Sequence, residues 1–438
     1  MLRSPLLLLL SARAADALPK WSWDTLQTYV HCANYSGEWN EDALHTLAKQ
    51  PFVVFEKYHK AFEEPQLDQA EAKIAESCRK VKEINPETDC YIYTESDWAR
   101  TEWSLGHWFE AHNDSALQCD STKNLEGKFV YTNDTLCNDW PPLPDGHTTG
   151  SGSVAESAAD KGGCNGKLHH LQYLAYDFNN SLAREKWIER VTNVTATGHV
   201  DGAFIDGNRG GFSSGITGSC SAEKKAGWAT GLQEAVETLA QRLGPDKTLI
   251  SNYPTPDAMK LCVGGMMERG GSTEAIAAFG KKTCGLYGQQ CLLDYHAQYF
   301  RAPSDGKLAG FLLGMNKYSY FGGGSGWGGT GPGACSLWLK QFPEFTKPLG
   351  EPKGNMTAAK ASWDGAVCDT EPAAHGQYKN SSGCLFTREF ATGTKVFVGQ
   401  YLPPDNPARP TNQGKCIYWS DGTTTTDNAT RCQPKDSF

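Results

Sequence analysis

The 438-residue sequence predicts an α/β fold, a (β/α)8 TIM barrel followed by a small C-terminal β extension. Two observations favour this class. Short runs of β-branched and aromatic residues alternate with amphipathic stretches up to about residue 330, and eight strand–helix repeats close a parallel sheet into a barrel. From about Ser336 the helical period is lost, and turn-rich spacers separate extended runs that are typical of β hairpins.

Nine segments are candidates for the eight barrel strands. They are Tyr29–Ala33, Phe52–Lys57, Cys90–Thr94, Leu171–Asp177, Gly202–Asp206, Thr248–Asn252, Gly264–Glu268, Cys291–Tyr295 and Lys317–Phe321. One of them must lie outside the barrel, and we expect it to be the first or the last of the nine. The helical period is clearest over Leu67–Val81, Leu182–Val194, Ala222–Leu243 and Ser272–Phe279.

The chain is expected to divide into three parts. Residues 1–17 have the charged start, apolar centre and small-residue cleavage site of a signal peptide. Residues 18–335 form the predicted barrel, with a long inserted loop at 113–167 between the third and fourth strands. Residues 336–438 form a β-rich extension packed on the barrel, with strands at Cys384–Phe390, Thr394–Tyr401 and Cys416–Trp419.

Charge and cysteine content indicate a secreted, extracellular glycoprotein. A net charge of −9 without a basic run gives no support for binding to nucleic acid or an anionic membrane, and no later segment approaches the roughly 18 apolar residues of a membrane span. Fifteen cysteines lack zinc-ribbon spacing and favour disulfides over a metal site, although an odd number leaves at least one thiol free or paired between chains. Eight sequons stand at Asn34, Asn113, Asn133, Asn179, Asn193, Asn355, Asn380 and Asn428.

Polar side chains end most of the predicted strands. Asp206 closes a short apolar run and precedes a glycine-rich segment, a position that faces the catalytic mouth in a barrel. Asp201 begins the same strand and is expected to cap or turn the chain. A carboxylate at the end of a buried strand is costly unless it has a partner or a task. Comparable strand ends are Glu56, Glu95, Asp177, Asn252, Glu268 and Asp294.

Two acids at one mouth suggest glycoside hydrolysis, in which one carboxylate attacks or activates water and the other protonates the leaving oxygen. This chemistry requires no cofactor and no metal. Aromatic rings near the predicted mouth offer flat apolar faces for a sugar, although each is equally consistent with core packing. They include Trp98, Tyr253 and Trp327.

Three segments, "VDGAFIDGNRGG", "TLISNYP" and "GGMMERGG", resemble the Asp, Asn and Glu strand ends of (β/α)8 glycoside-hydrolase-like families that include the endo-α-1,4-polygalactosaminidases and spherulin-4-like proteins. The resemblance covers roughly residues 25–400. It implies Asp206 as nucleophile, Glu268 as general acid/base and Asn252 as a ligand for a sugar hydroxyl or N-acyl group. Arg209 and Arg269 stand near both acids, where they favour an acidic or sulfated glycan or form salt bridges with the acids.

Competing motifs are weaker. Gly211–Gly215 matches the G-x-S-x-G elbow of esterases but is separated from its strand by glycines. Gly324–Gly329 matches a dinucleotide-binding pattern that no helix can follow, and His169-His170 lacks a placed carboxylate for a metal. The sequence therefore predicts a secreted, retaining glycoside hydrolase acting on a polysaccharide or glycan, without specifying an oligomeric state. The alternative is a non-catalytic carbohydrate-binding or cell-surface protein on the same scaffold, because fold alone does not separate the two.

Overall fold

The computed structural model describes residues 19–57, 59, 70–96, 98–100, 128–129, 173–207, 221–252, 262, 264–268, 292–298, 300–324, 328–329, 335–360, 384–401 and 411–427. These residues belong to two compact units. The first comprises Met1–Lys20, Tyr29–Met266 and Gly324–Leu339, and the second comprises Trp21–Thr28, Met267–Gly323 and Lys340–Phe438.

Helices and strands are numbered in chain order over the described residues. The strands are β1 Val30–Asn34, β2 Phe52–Phe55, β3 Asp89–Glu95, β4 Trp98–Arg100, β5 Lys128–Phe129, β6 Tyr173–Ala175, β7 Gly202–Asp206, β8 Thr248–Asn252, β9 Gly264–Glu268, β10 Leu292–Gln298, β11 Ser319–Gly324, β12 Gly328–Gly329, β13 Thr357–Lys360, β14 Cys384–Glu389, β15 Lys395–Tyr401, β16 Thr411–Tyr418 and β17 Thr424–Thr426. The α-helices are α1 Glu41–Leu47, α2 Ala70–Ile84, α3 Ser181–Thr195, α4 Ala222–Leu243 and α5 Lys307–Gly314.

The first unit is built on parallel strands in the order β9-β8-β7-β3-β2-β1-β12. All five residues of β1 and of β8, and all four of β2, are buried, as expected for parallel strands covered by helices. Gly202 shows how tightly β7 and β8 approach, because a Cβ at this position would stand 1.8 Å from the carbonyl oxygen of Thr248. This strand pair therefore requires glycine at its start.

The crossover helices of the first unit follow the amphipathic pattern of the sequence. Helix α3 begins after Asn180, whose side chain accepts a hydrogen bond from the Leu182 amide, and α4 begins after Ser221, which accepts from the Lys224 amide. These side chains satisfy amide groups that the first helical turn leaves without partners. Trp187 of α3 and Trp228 of α4 are fully buried, so each helix turns one apolar face to the core.

One predicted barrel strand belongs to another sheet. Leu171–Asp177 contains β6, which pairs antiparallel with β4 and β5 in a separate three-stranded sheet. The expectation that the first or the last candidate strand lies outside the barrel is therefore wrong. A short apolar run has the same composition in either kind of sheet, and only its pairing partners distinguish the two. The predicted loop at 113–167 lies outside the described residues, apart from β5.

The second unit contains β10, β11, α5 and an antiparallel sheet ordered β13-β14-β15-β16-β17. Its core joins α5 to the sheet through Phe311, Phe386, Val396 and Ile417. The antiparallel sheet confirms the predicted C-terminal β extension, and its strands contain or overlap the three predicted hairpin segments. The boundary at 335/336 stays a prediction.

The (β/α)8 class is confirmed. Among the described residues, the eight barrel strands are β1, β2, β3, β7, β8, β9, β10 and β11, and the two-residue β12 continues the sheet beside β1. Two disulfides lie wholly within the described residues, Cys32–Cys335 and Cys78–Cys90. Across the part of the chain that the structure describes, no helix combines the length and apolar character needed to cross a membrane.

Candidate active site

Asp206 is held by three hydrogen-bond donors at the C-terminal end of β7. Tyr93 donates its hydroxyl to Oδ2 at 2.6 Å, and the Asn252 amide donates to Oδ1 at 2.8 Å. The Gly207 amide also donates to Oδ1 at 2.8 Å. Gly207 has a φ of 75°, a conformation that favours glycine, so the glycine after the acid lets the backbone fold back onto the carboxylate. The side chain is thus fixed while the residue stays partly exposed.

The register of neighbouring strands explains why these donors meet Asp206. Strand β3 pairs with β7 so that Glu95 is the Cα partner of Asp206. Strand β8 pairs on the other side, with Ser251 opposite Ile205, which brings Asn252 to the level of Asp206. The carboxyl ends of three adjacent parallel strands therefore lie together, at the end of the sheet where barrel enzymes carry their active sites.

A second carboxylate, Glu56, follows β2 and is almost completely buried. Its Oε1 lies 3.3 Å from His31 Nε2, and its Oε2 accepts the Lys57 backbone amide at 2.9 Å. The Lys57 ammonium lies 3.5 Å from Oε2 and 4.8 Å from the centre of the Tyr93 ring. Because Tyr93 also donates to Asp206, the two carboxylates are joined through Lys57 and Tyr93.

Both carboxylates are stabilised as anions. Burial alone would raise the pKa of Asp206, but the charge of Lys57 and the hydrogen bonds from Tyr93, Asn252 and Gly207 outweigh it and hold that pKa below its usual value. Burial acts in the same direction on Glu56, where Lys57 and His31 outweigh it and again lower the pKa. At neutral pH, both side chains are therefore ionised.

An outer layer of side chains fixes the end of β3. Trp187 of α3 donates its indole N–H to the Glu95 carbonyl at 2.9 Å. Arg190 of the same helix pairs with Glu71 of α2 at 2.6 Å and also donates to the Tyr93 carbonyl. This buried ion pair connects two crossover helices to the strand that carries Tyr93.

The structure places some of the predicted site residues together at strand ends and one of them elsewhere. Asp206, Asn252, Glu56 and Glu95 stand at or beside the ends of neighbouring strands of the first unit. Asp177 is not a barrel strand end: it follows β6, and its carboxylate accepts hydrogen bonds from the backbone and side-chain amides of Asn179. The predicted place of Asp177 at the end of a barrel strand is therefore wrong, because β6 belongs to the antiparallel sheet, and its substrate-binding role stays a prediction.

The remaining predicted residues are only partly described. Glu268 is the last residue of β9 and is partly exposed, so its catalytic role stays a prediction. Trp98 lies in β4 and Asp294 lies in β10, and the roles predicted for them stay predictions. Four predicted residues lie outside the described residues: Tyr253, Arg209, Arg269 and Trp327.

Sequence reasoning missed His31, Lys57 and Tyr93. For two of them a signal existed: Tyr93 precedes Glu95 by two residues, which in a strand places both on the same face, and Lys57 directly follows a strand-end acid. His31 gave no signal, because a histidine within an apolar strand is usually a packed core residue. Its ring packs edge-on against the ring of Phe204 in β7, with 4.6 Å between the ring centroids.

Comparisons with known proteins yield structural similarity only. No protein-family model matches the chain, and no curated protein matches its sequence. The α-galactosidase AgaA from Geobacillus stearothermophilus is 10% identical with a TM-score of 0.43, over 90% of this chain and 50% of that chain. The galactosidase domain of the α-galactosidase–sucrose kinase AgaSK is 10% identical with a TM-score of 0.44, over 96% and 54%. This chain thus spans about half the length of these α-galactosidases.

An α-amylase from Geobacillus thermoleovorans, solved in complex with acarbose, is 9% identical with a TM-score of 0.41, over 87% of each chain. These similarities assign no activity to this chain.

Proposed function

We propose that this protein is a glycoside hydrolase that uses Asp206 as its nucleophile. The observation that carries the proposal is the state of Asp206: an ionised carboxylate, oriented by three donors and partly exposed at the carboxyl end of β7. A carboxylate that serves only as a structural partner needs no such access. Ionisation and fixed orientation are what attack on a sugar carbon requires.

Glu268 is the proposed general acid/base. In the first step an Asp206 oxygen bonds to the anomeric carbon, the glycosidic C–O bond breaks, and Glu268 gives its proton to the leaving oxygen. In the second step Glu268 takes a proton from water, which displaces Asp206 and restores both carboxyls. The configuration at the anomeric carbon is retained after two inversions, and the cycle consumes no cofactor.

The proposed substrate is an extracellular polysaccharide or glycan, with Arg209 and Arg269 favouring an acidic or sulfated one. We also propose that the chain is related to the endo-α-1,4-polygalactosaminidases and spherulin-4-like proteins that its sequence resembles. We further propose that the protein is secreted, which the cysteine content and the predicted signal peptide support.

A screen of reducing ends released from neutral, amino and sulfated glycans tests the proposal. We expect release from at least one member, and proton NMR of the first product should show the anomeric configuration of the substrate. Inversion would contradict the retaining mechanism. A glycan that binds to the protein without being cleaved would instead favour the non-catalytic carbohydrate-binding alternative.

A further inference from the structure

Lys57 is a buried cation beside Glu56, and its charge also acts on Asp206. Its side chain is 4% exposed, and burying an ammonium group costs several kcal/mol unless opposite charge compensates for it. Glu56 supplies that compensation at 3.5 Å. The face of the Tyr93 ring adds a favourable cation–π contact on another side.

The contacts of Lys57 lead directly to Asp206. Its ammonium stands over the ring whose hydroxyl donates to Asp206 at 2.6 Å. Glu56 is in turn held by His31 at 3.3 Å and by the Lys57 backbone amide at 2.9 Å. The residues that hold the cation therefore belong to or follow β1 and β2, whereas Asp206 ends β7.

We propose that Lys57 is a positioning residue for Asp206, whose ammonium maintains the charge of that carboxylate while Glu56 and His31 hold the ammonium in place. The proposal rests on the nucleophilic role of Asp206. It also gives Glu56 a different task from the substrate binding predicted from the sequence.

Charge balance through the reaction explains why the site contains a second carboxylate. When Asp206 forms an ester with the sugar it loses its negative charge. A buried lysine paired with Asp206 alone would then be left as an isolated cation, which is costly in a low-dielectric site. Because Glu56 remains ionised beside Lys57, the ammonium stays paired in the intermediate and does not need to move.

Among the described residues, the elements beside Asp206 and Lys57 carry the following titratable groups. Strand β3 contributes Tyr93 and Glu95, the segment after β2 contributes Glu56 and Lys57, and β1 contributes His31. Asn252 of β8 is neutral. Lys57 is the lysine among these described neighbours, and its charge lowers the pKa of both Asp206 and Glu56.

Titration of the Asp206 carboxyl tests the proposal directly. It can be followed by ¹³C NMR in protein labelled at aspartate, with the signal assigned by Asp206→Asn. Lys57→Met should move the midpoint upward by about one pH unit or more, and Lys57→Arg should restore most of the shift. Lys82→Met is the matched control: this lysine pairs with Asp201 at the other end of β7, and its removal should leave the Asp206 titration unchanged.

A double variant covers the case in which Lys57→Met does not fold. Glu56→Gln with Lys57→Met removes both charges together, so no isolated buried charge remains, and the upward shift should persist. An unchanged midpoint in either folded variant overturns the proposal. Where turnover is measurable, the acid limb of kcat/KM should move with the NMR midpoint. If no glycan is cleaved although the midpoint shifts, the proposed function fails, whereas the effect of Lys57 on the charge of Asp206 stands.

Discussion

At the scale of single residues, the surroundings of each carboxylate decide its task. Asp201 and Asp206 lie at opposite ends of β7. Asp201 accepts the Cys90 amide at 2.9 Å and pairs with Lys82 at 2.7 Å, so its oxygens are engaged in holding the strand. Both side chains are partly exposed, but Asp206 is oriented by the donors Tyr93, Asn252 and Gly207 and, among the described residues, is not paired with a lysine as Asp201 is. This difference supplies a matched pair of substitutions at the two ends of one strand.

Asp206→Asn should abolish turnover, because an amide cannot act as the nucleophile, and it should leave the thermal midpoint nearly intact because volume is conserved. Glu268→Gln should abolish turnover through loss of the proton donor. Asp201→Asn should lower stability by about 1–3 kcal/mol and keep turnover. Reducing-end assays and thermal unfolding of the same preparations measure both quantities. More than a few per cent of residual activity in either catalytic variant would refute its assigned role.

Asp89 provides a pH-dependent test of stability. Burial, reinforced by the nearby charge of Asp201, raises the pKa of Asp89 to about 6. In the unfolded chain its pKa is near 4. Between these values the folded state binds a proton that the unfolded state has lost, so the free energy of unfolding falls as the pH rises through this window. Above about pH 6 the ionised Asp89 carboxylate destabilises the folded state to its full extent.

Asp89→Asn should therefore increase the free energy of unfolding by about 1–3 kcal/mol at pH 7.5 and have little effect at pH 4. Asparagine can still accept the hydrogen bond that the Tyr91 hydroxyl donates at 3.0 Å. Urea denaturation at the two pH values makes the comparison. An equal change at both pH values would contradict the assigned titration.

At the scale of elements, the C-terminal end of α5 is secured by a side chain from another element. In the second unit, Arg388 of β14 donates to the carbonyls of Leu312, Leu313 and Met315 at the end of α5. A cation at a helix C-terminus also interacts favourably with the helix dipole. Burial lowers the pKa of Arg388 to about 10, which leaves it charged at neutral pH. The contact joins α5 to the antiparallel sheet.

Arg388→Met should destabilise the protein by about 2–4 kcal/mol, because it leaves buried carbonyls without donors. Arg388→Lys should recover part of the loss, since a single ammonium cannot reproduce the guanidinium geometry. The adjacent Glu389→Gln removes a surface pair with Lys353 and should change stability by less than about 0.5 kcal/mol. Chemical denaturation of the three variants measures these changes. Equal losses of stability in Arg388→Met and Glu389→Gln would rule out the capping role.

At the scale of the whole molecule, disulfides and sequons agree with a chain that folds in an oxidising compartment. Cys32–Cys335 links β1 to a residue 303 positions later, whereas Cys78–Cys90 closes a separation of 12 between α2 and β3. In the chain-entropy description, the longer closed loop contributes more to stability.

Replacing Cys78 and Cys90 together by Ala should lower the free energy of unfolding by about 3 kcal/mol, and replacing Cys32 and Cys335 by more than about 4 kcal/mol. Reduction of the native protein should destabilise it further than either change. Denaturation of the two double variants gives the comparison. Native material with ten or more titratable thiols would contradict the structural assignment of the cysteines.

Burial also predicts which sequons carry glycans when the protein is made in a secretory host. Asn193 and Asn355 are exposed and should be occupied. Asn34 is 2% exposed, and its side-chain oxygen accepts the Ser36 amide and hydroxyl, so a glycan there is incompatible with the fold. Enzymatic deglycosylation in heavy-oxygen water followed by peptide mass spectrometry identifies the modified sites. A glycan on Asn34 of folded protein would contradict this assignment.

The sequence by itself determined the alternation of strands and helices, the antiparallel end of the chain, and the strand-end position of Asp206. These features are local: strand and helix periods, glycine after an acid and turn residues are all readable from neighbouring residues. Helix α4 and strands β7, β8 and β9 have the predicted bounds for this reason. Pairing was decided only by the tertiary structure. It placed β6 in another sheet and removed Asp177 from the barrel, because an apolar run does not specify its partner strand. It also brought Lys57 and Tyr93 to Asp206, since the charge of Lys57, just after β2, acts on a carboxylate 149 positions later only once register has brought the strand ends together.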